Sequence, residues 1–416
     1  MYPTPAKEVP MSGLLSPDVS RSKSLLARSD ELLVRGCQGH KRSHDMIARG
    51  YPVFTREAQG ARFTDADGNE YIDYLLAYGP ILLGHNDPAV QTAISAQMAQ
   101  GTIYTTAWER EVEVAEKLIE AIPFAEMLGF VIGGSAATAG AVLIARSYTG
   151  KDRVIRSGYH GWHDWARPGS VGVPEQVGEL TTEVPYADLN ALDEAFRQHP
   201  GEYACVIMET VRGEGPPEGF LQGCVEIAHS HDALCIFDEI KVGFRVAYGG
   251  AGHRWGATPD MSTFGKACCN GYPGSFIAGR KEVLGHPNAQ EAWLAATFHC
   301  DTLSLTAMAT VLDEMEKRDG IAYQWEIGQR LIDGLNAVTR EHEIGYRLEG
   351  PGPMPSPVSD PEDGDRVAAM LRGCLARGIY LPPSHPLFFS LAHSREDIDH
   401  TIAMVAESAE DVTRTM

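Results

Sequence analysis

Between about residues 128 and 285 the chain alternates short apolar runs with polar or helical stretches. The runs fall at Leu128–Ile132, Arg153–Arg156, Ala204–Met208 and Ala233–Phe237. This spacing argues for βα units and a mostly parallel sheet. Parallel sheets place ligands beyond the carboxyl ends of their strands. Two of the ends here are acidic: Val206-Ile-Met-Glu209 and Cys235-Ile-Phe-Asp238-Glu239. Their carboxylates would point into one crevice. A buried carboxylate is costly unless paired, so a cationic partner is implied.

Lys266, in Asp260-Met-Ser-Thr-Phe-Gly-Lys266, comes a short way downstream of the second acidic end. In isolation it reads as a solvated lysine after a loop. Beside a strand that ends in a buried acid, it is what pyridoxal phosphate chemistry needs. The lysine holds the cofactor aldehyde as a Schiff base, and the acid keeps the pyridine nitrogen protonated so that the ring can accept electrons; a pyridinium is then the cation Asp238 requires.

Three further segments carry candidate contacts. Gly133-Gly134-Ser135-Ala136-Ala137 precedes a helix expected over Ala139–Tyr148. It reads as a phosphate cradle of backbone N–H groups and a hydroxyl, or as a tight turn. Gly158-Tyr159-His160-Gly161-Trp162-His163-Asp164 offers a ring to stack on a flat cofactor. It also reads as an aromatic packing corner, or as a metal site at His160 and His163, although no matching pair completes one. Ala296-Thr297-Phe-His299-Cys-Asp301 offers another hydroxyl to phosphate, or simply a helix cap.

At 416 residues with 44% apolar content, the chain can build one large domain and a smaller one. A formal charge of −21 argues against nucleic acid or an anionic membrane as partner. No apolar run reaches membrane-spanning length, and eight cysteines without framework spacing fit a reduced, cytoplasmic protein. Cys268 and Cys269 read as small buried fillers. Residues 1–20 are expected to be a mobile arm. Residues 21–75 form an N-terminal segment packing with the small domain, with a helix over Ser24–Val34, a basic loop Gly36–Arg42 and a hairpin over Arg62–Tyr74 turning at Asp67-Gly68. Residues 76–303 make the large domain, and 304–416 a C-terminal α+β domain with a Pro-rich loop from Gly350.

The order Gly134-Ser135, Tyr159-His160-Gly161, Asp238-Glu239-Ile240, Lys266, Thr297 resembles the class III aminotransferases, most closely their glutamate-1-semialdehyde 2,1-aminomutase branch. Asp238-Glu-Ile-Lys-Val-Gly-Phe-Arg245 looks like that branch's Asp-Glu-Val-Met-Thr-Gly-Phe-Arg. Tyr78-Gly-Pro80-Ile-Leu-Leu-Gly-His85, Gly378-Ile-Tyr-Leu-Pro-Pro-Ser384 and Phe389-Ser-Leu-Ala-His393 also match, so the likeness runs from about residue 25 to the end.

The resemblance implies an α/β protein of PLP-dependent transferase fold type I, with a mixed, mostly parallel seven-stranded sheet and a smaller α+β domain. It implies Lys266 as the Schiff-base and proton-shuttling lysine, Asp238 at the pyridine nitrogen, Ile240 and Tyr159 on the two ring faces, and Gly134 and Ser135 on the phosphate. His160 joins the cofactor shell, and Glu209 stands near the cofactor oxygen. Thr297 reaches the phosphate of a neighbouring subunit, because family sites lie at a homodimer interface. Arg42 falls near an arginine that grips the substrate carboxylate, and Tyr104 is assigned with it to the substrate side.

The chain also departs from that pattern. Ile132-Gly-Gly134-Ser135-Ala136-Ala137 stands where the family writes Asn-Ser-Gly-Thr-Glu-Ala. Leu143 replaces a customary arginine, Ala-Cys-Cys-Asn-Gly271 follows the lysine, and His299 interrupts a Gly-Thr-x-Ser-Gly-Asn-Pro segment. These changes spare cofactor chemistry and alter the substrate side. The expected activity is a ping-pong transfer from an amino donor to a keto or aldehyde acceptor, in specialised biosynthesis. Alternatives on the same cofactor are an intramolecular aminomutase and an amino acid racemase or epimerase. A further alternative is a member that binds without catalysis.

Overall fold

The structure is a computed structural model that describes residues 16–34, 36–37, 43–292 and 294–416. Most of the arm expected over residues 1–20, and most of the basic loop, Arg42 included, lie outside the described residues. The chain divides into two compact units. One takes the described residues up to Tyr78, Leu83–Asp87 and Tyr323–Met416; the other takes Gly79–Leu82 and Pro88–Ala322.

The smaller unit carries strands β1 (Thr55–Gln59), β2 (Arg62–Asp65) and β3 (Glu70–Asp73). The β2–β3 hairpin turns through Gly68, at φ 97°, as the Asp-Gly pair predicts. The first helix runs over Ser20–Leu32, starting four residues before the Ser24 expected from periodicity. The reason is tertiary: the Asp67 carboxylate, at that hairpin turn, accepts the Ser22 N–H and hydroxyl at 2.9 and 2.7 Å. It thus satisfies a helix-start donor from 45 residues away. Strand β13 (Ile379–Tyr380) adds in parallel to β3, giving the order β1-β2-β3-β13. The Pro-rich segment joins β11 (Tyr346–Glu349) to β12 (Ser356–Ser359) as a separate antiparallel pair. Helices Gly320–Glu341, Gly364–Ala376 and Arg395–Thr415 follow the expected pattern, and Leu331, Leu335, Leu371, Ile398 and Val405 pack in one core. The last helix opens on a capping box between Ser394 and Asp397.

The larger unit is built on seven strands: β4 (Met127–Ile132), β5 (Arg153–Ser157), β6 (Thr181–Glu183), β7 (Tyr203–Glu209), β8 (Leu234–Asp238), β9 (Met261–Phe264) and β10 (Gly274–Gly279). Their order is β4-β10-β9-β8-β7-β5-β6. Strand β10 runs antiparallel to both its neighbours, and β9 through β6 are mutually parallel. The sheet is therefore mixed and mostly parallel, with seven strands, as expected. Every residue of β8, β9 and β10 is buried, which explains why these runs do not alternate apolar with charged residues.

Helix Gly134–Thr149 packs an Ala-rich face, with Ala137, Ala141 and Ala145, into one cluster with Ile207, Ile236 and Ile277. At Gly140 a Cβ would come within 2.9 Å of Ile277 Cδ1, so the helix lies close on the sheet. The sheet register sets Glu209 beside Asp238 and Asp238 beside Thr263. Phe264 stacks on Phe276 with ring centroids 4.9 Å apart, and both are fully buried. Phe264 lies two residues before Lys266, so this stack anchors the strand that delivers the lysine. Phe264→Ala should cost about 3–5 kcal/mol of unfolding free energy, read as a fall in urea midpoint at unchanged slope.

Candidate active site

The carboxyl ends of β7, β8 and β9 lie side by side and supply most of the titratable groups. The Asp238 carboxylate at the end of β8 is 6% exposed. Its Oδ2 lies 2.7 Å from His160 Nδ1, while Oδ1 accepts the Ile240 N–H at 3.1 Å and the Thr263 hydroxyl at 3.4 Å. The His160 ring is buried, and its Nε2 lies 3.1 Å from the Ser157 carbonyl. A carbonyl only accepts, so Nε2 carries a hydrogen there. Both ring nitrogens are thereby engaged, which disposes of the metal reading of this histidine. His160 thus stands against one carboxylate oxygen of Asp238, a contact additional to the pyridinium partner expected from the sequence. Its sequence signal was the Tyr-His-Gly run, whose histidine had no assigned partner.

The second acid of that pair behaves differently. Glu239 does not share the crevice with Glu209 and Asp238. It is fully buried and accepts the Ala251 and Gly252 N–H groups at 2.9 and 3.2 Å and the Thr210 hydroxyl at 3.1 Å. It thus closes the start of the short helix Gly250–Trp255. Burial pushes its carboxyl up to about 7, against the lowering effect of those donors.

Glu209, ending β7, bonds Lys241 Nζ through Oε1 at 2.9 Å and the Tyr159 N–H through Oε2 at 3.1 Å. Burial tends to raise its carboxyl, but Lys241 and these donors outweigh it and hold the acid below its ordinary value. Neither the Glu209–Lys241 pair nor the Thr263 contact was read from sequence. Lys241 falls where the aminomutase segment has a methionine.

Lys266 follows β9 with φ 48°, in the left-handed region. For a non-glycine residue that costs on the order of 1–2 kcal/mol. Its Nζ forms no hydrogen bond or ion pair among the described residues. Burial, and then the Lys241 ammonium, pull its amine down to about 8, while Asp238 and Glu209 act in the opposite sense. Ile240 packs between this segment and the helix start: a Cβ on Gly134 would meet its Cγ2 at 2.9 Å, and one on Gly265 its Cδ1 at 3.1 Å.

The helix expected from Ala139 begins five residues earlier, at Gly134, capped by Gly133 at φ 81°. The Gly-rich segment is the first helical turn, not a loop before it. The Ala136 and Ala137 N–H groups turn back to the Gly133 carbonyl, which leaves the Gly134 and Ser135 N–H groups at an open helix start. That is an anion-binding arrangement. The Ser135 hydroxyl oxygen accepts the Trp162 N–H at 3.3 Å. A Cβ on Gly161 (φ 102°) would come within 2.3 Å of that oxygen, so the Tyr-His-Gly run can pass only as glycine there.

Gly134, Ser135, Tyr159, His160, Glu209, Asp238, Ile240 and Lys266 are thus gathered around the sheet's carboxyl edge. Tyr159 is 56% exposed. Thr297 and Tyr104 are not part of this group. They line a cavity of about 320 Å³ with Trp108, Glu111, His299 and Cys300. The Tyr104 hydroxyl is tied to its own loop, at 3.2 Å from both Gln97 Nε2 and the Gln100 carbonyl. Arg42 lies outside the described residues. Cys268 and Cys269 are fully buried with their sulfurs 3.5 Å apart.

The depressed proton affinity of Lys266 has a defined sign. The unfolded amine keeps its proton to about 10.5 and the folded one loses it near 8. Between these values the unfolded state binds more protons, so this group makes stability rise with pH. Reductive methylation of the apoprotein, mapped by mass spectrometry, should label Lys266 with a midpoint near pH 8. Lys266→Met should remove the corresponding rise in urea stability between pH 8 and 10.5.

Comparison with known proteins places this site in a family. The family model Aminotransferase class-III matches residues 46–407. Glutamate-1-semialdehyde 2,1-aminomutase of Sulfurihydrogenibium azorense is 32% identical over 94% of this chain and 99% of its own length. The 3-aminobutyryl-CoA aminotransferase of Cloacimonas acidaminovorans is 31% identical over 96% of this chain and 99% of its own. Among solved structures, the PLP internal aldimine form of FumI from Sphingopyxis sp. MTA144 superimposes with a TM-score of 0.89 at 29% identity, over 95% of this chain and 97% of that one. The fold is that of PLP-dependent transferases of fold type I, and the chain belongs to the class III aminotransferase family.

Proposed function

We propose that this chain is a pyridoxal 5'-phosphate enzyme that moves an amino group from an amino donor to a keto or aldehyde acceptor in two half-reactions. The observation that carries the reading is the unpartnered Lys266 amine, set beside a His160-backed Asp238 and near an open helix start. The residues present fit the cofactor. Gly134 and Ser135 offer N–H groups and a hydroxyl to a phosphate, Asp238 offers a carboxylate to a ring nitrogen, and Lys266 offers an amine of lowered proton affinity to an aldehyde. When bound, the cofactor supplies that aldehyde and a ring that accepts an electron pair.

Each role falls to a group whose surroundings suit it. Lys266 Nζ holds the cofactor at rest and afterwards takes up and returns the substrate proton, a task suited to an amine that titrates near the working pH. Asp238 is kept in place by His160 and the Ile240 N–H. Ile240 and Tyr159 would hold the two faces of the cofactor ring, with His160 in the cofactor shell and Glu209 near the cofactor oxygen. Thr297 and Tyr104 line a cavity of their own, which suits a homodimer in which Thr297 serves the phosphate of the second subunit. Tyr104 and Arg42 are assigned to the substrate side. No described helix is long and apolar enough to cross a membrane. The eight cysteines are all unpaired, which favours a reducing, cytoplasmic setting.

A second reading, an intramolecular aminomutase, is favoured by the relatives that bear that name; a racemase or epimerase would use the same groups. Substrate turnover separates these readings. A transaminase given donor alone should stop after one turnover per site and resume when a keto acid is added. A racemase or aminomutase should continue without one. Lys266→Ala should lower the half-reaction rate by about 10²–10⁴-fold and remove the visible absorbance of lysine-bound cofactor. Full activity in that variant would refute the reading.

A further inference from the structure

We infer that Lys241 is a positioning residue of this site: its ammonium, fixed on Glu209, offsets that carboxylate's charge beside Lys266. This rests on the reading of Lys266 given above. Where the aminomutase pattern has a methionine, this chain places a lysine. That exchange adds a full charge at the carboxyl edge of the sheet.

The placement follows from register and packing. Glu209, Asp238 and Thr263 are aligned across β7, β8 and β9. Lys241 lies three residues beyond Asp238, and Lys266 three beyond Thr263. Their neighbours Ile240 and Gly265 are in contact, so the two lysines flank one packing point. Lys241 Nζ stands 2.9 Å from Glu209 Oε1, with the two side chains only 19% and 17% exposed. At that burial the pair is poorly screened by water.

The charges around Lys266 can be named. Lys241 and Arg245 oppose its proton, while Asp238 and Glu209 favour it; among these charges Lys241 acts most strongly. His160 stands against Asp238. Among the described residues Arg212 also stands near Glu209, with Nε at 3.6 Å and a side chain half in solvent, and His160 acts on it in the same sense. With a neutral residue at 241, Glu209 would face Lys266 largely uncompensated, and the Lys266 nitrogen would hold its proton to higher pH. The same pair presses Glu209 onto the Tyr159 N–H at 3.1 Å. Lys241 therefore also steadies the loop that bears the proposed ring-stacking tyrosine.

The test is a spectroscopic pH titration of the enzyme reconstituted with pyridoxal phosphate, following the visible band of the lysine-bound cofactor. Lys241→Met, with Lys241→Gln as a second neutral variant, should raise the midpoint by about one pH unit. Lys241→Arg should stay close to the parent enzyme. Adding Glu209→Gln to Lys241→Met should bring the midpoint back down, because the uncompensated charge is then gone. An unmoved midpoint in both neutral variants overturns the inference. So does an equal shift in Lys241→Arg, which would point to packing rather than charge. A visible band that persists in Lys266→Ala would instead sink the parent reading of Lys266, so the two failures are distinguishable.

Discussion

Charged groups gathered at the ends of buried strands need partners, and that requirement organises the whole site. A desolvated ion is costly unless a counter-charge or several hydrogen bonds meet it. Strands β7, β8 and β9 are almost wholly buried, and they end in Glu209, Asp238 and, just beyond, Lys266. Each acid has been given a separate solution: Lys241 for Glu209, His160 for Asp238, a helix start for Glu239. Among the described residues, Lys266 alone of this group has none. Its amine is left with burial and a nearby like charge, which together lower its hold on a proton. A group kept costly in this way is a natural place for covalent chemistry with an aldehyde.

The scaffold around these groups is correspondingly tight. The Ala-rich helix after β4 lies close on the sheet, and Ile240 fills the space between Gly134 and Gly265. The glycine at 161 lets the Tyr-His-Gly run pass against Ser135. Lys266 itself adopts a backbone conformation that non-glycine residues avoid, and the stacked Phe264 and Phe276 rings hold the strand before it. Strain at the reactive residue is thus borne by packing immediately upstream.

Much of the fold was legible because it depends on patterns local in sequence. The apolar runs between polar segments foretold the parallel sheet, and the Asp-Gly pair foretold the hairpin of β2 and β3. Errors arose where a distant residue set a boundary. Asp67 draws the first helix back to Ser20; a second boundary was set locally, where Gly133 starts the helix after β4 before the Ala-rich stretch that gives it periodicity. Resemblance supplied the site residues in order, but it could not supply their partners. The pairing of His160 with Asp238, and of Lys241 with Glu209, joins residues 78 and 32 positions apart.

The sequence by itself determined the fold class, the family, and the lysine and acid on which the proposed chemistry turns. The parallel sheet follows from hydrophobic period, the lysine and acid from residue types at short spacing, and the family from the resemblance of whole motifs, all carried by the chain before it folds. Tertiary structure alone decided which acid faces the site and which is buried away from it. Asp238 and Glu239 are adjacent in sequence, yet the strand end sends one to His160 and the other to the Ala251 and Gly252 N–H groups. Successive residues at the end of a strand point in opposite directions, and only the packed surroundings give each direction its chemistry.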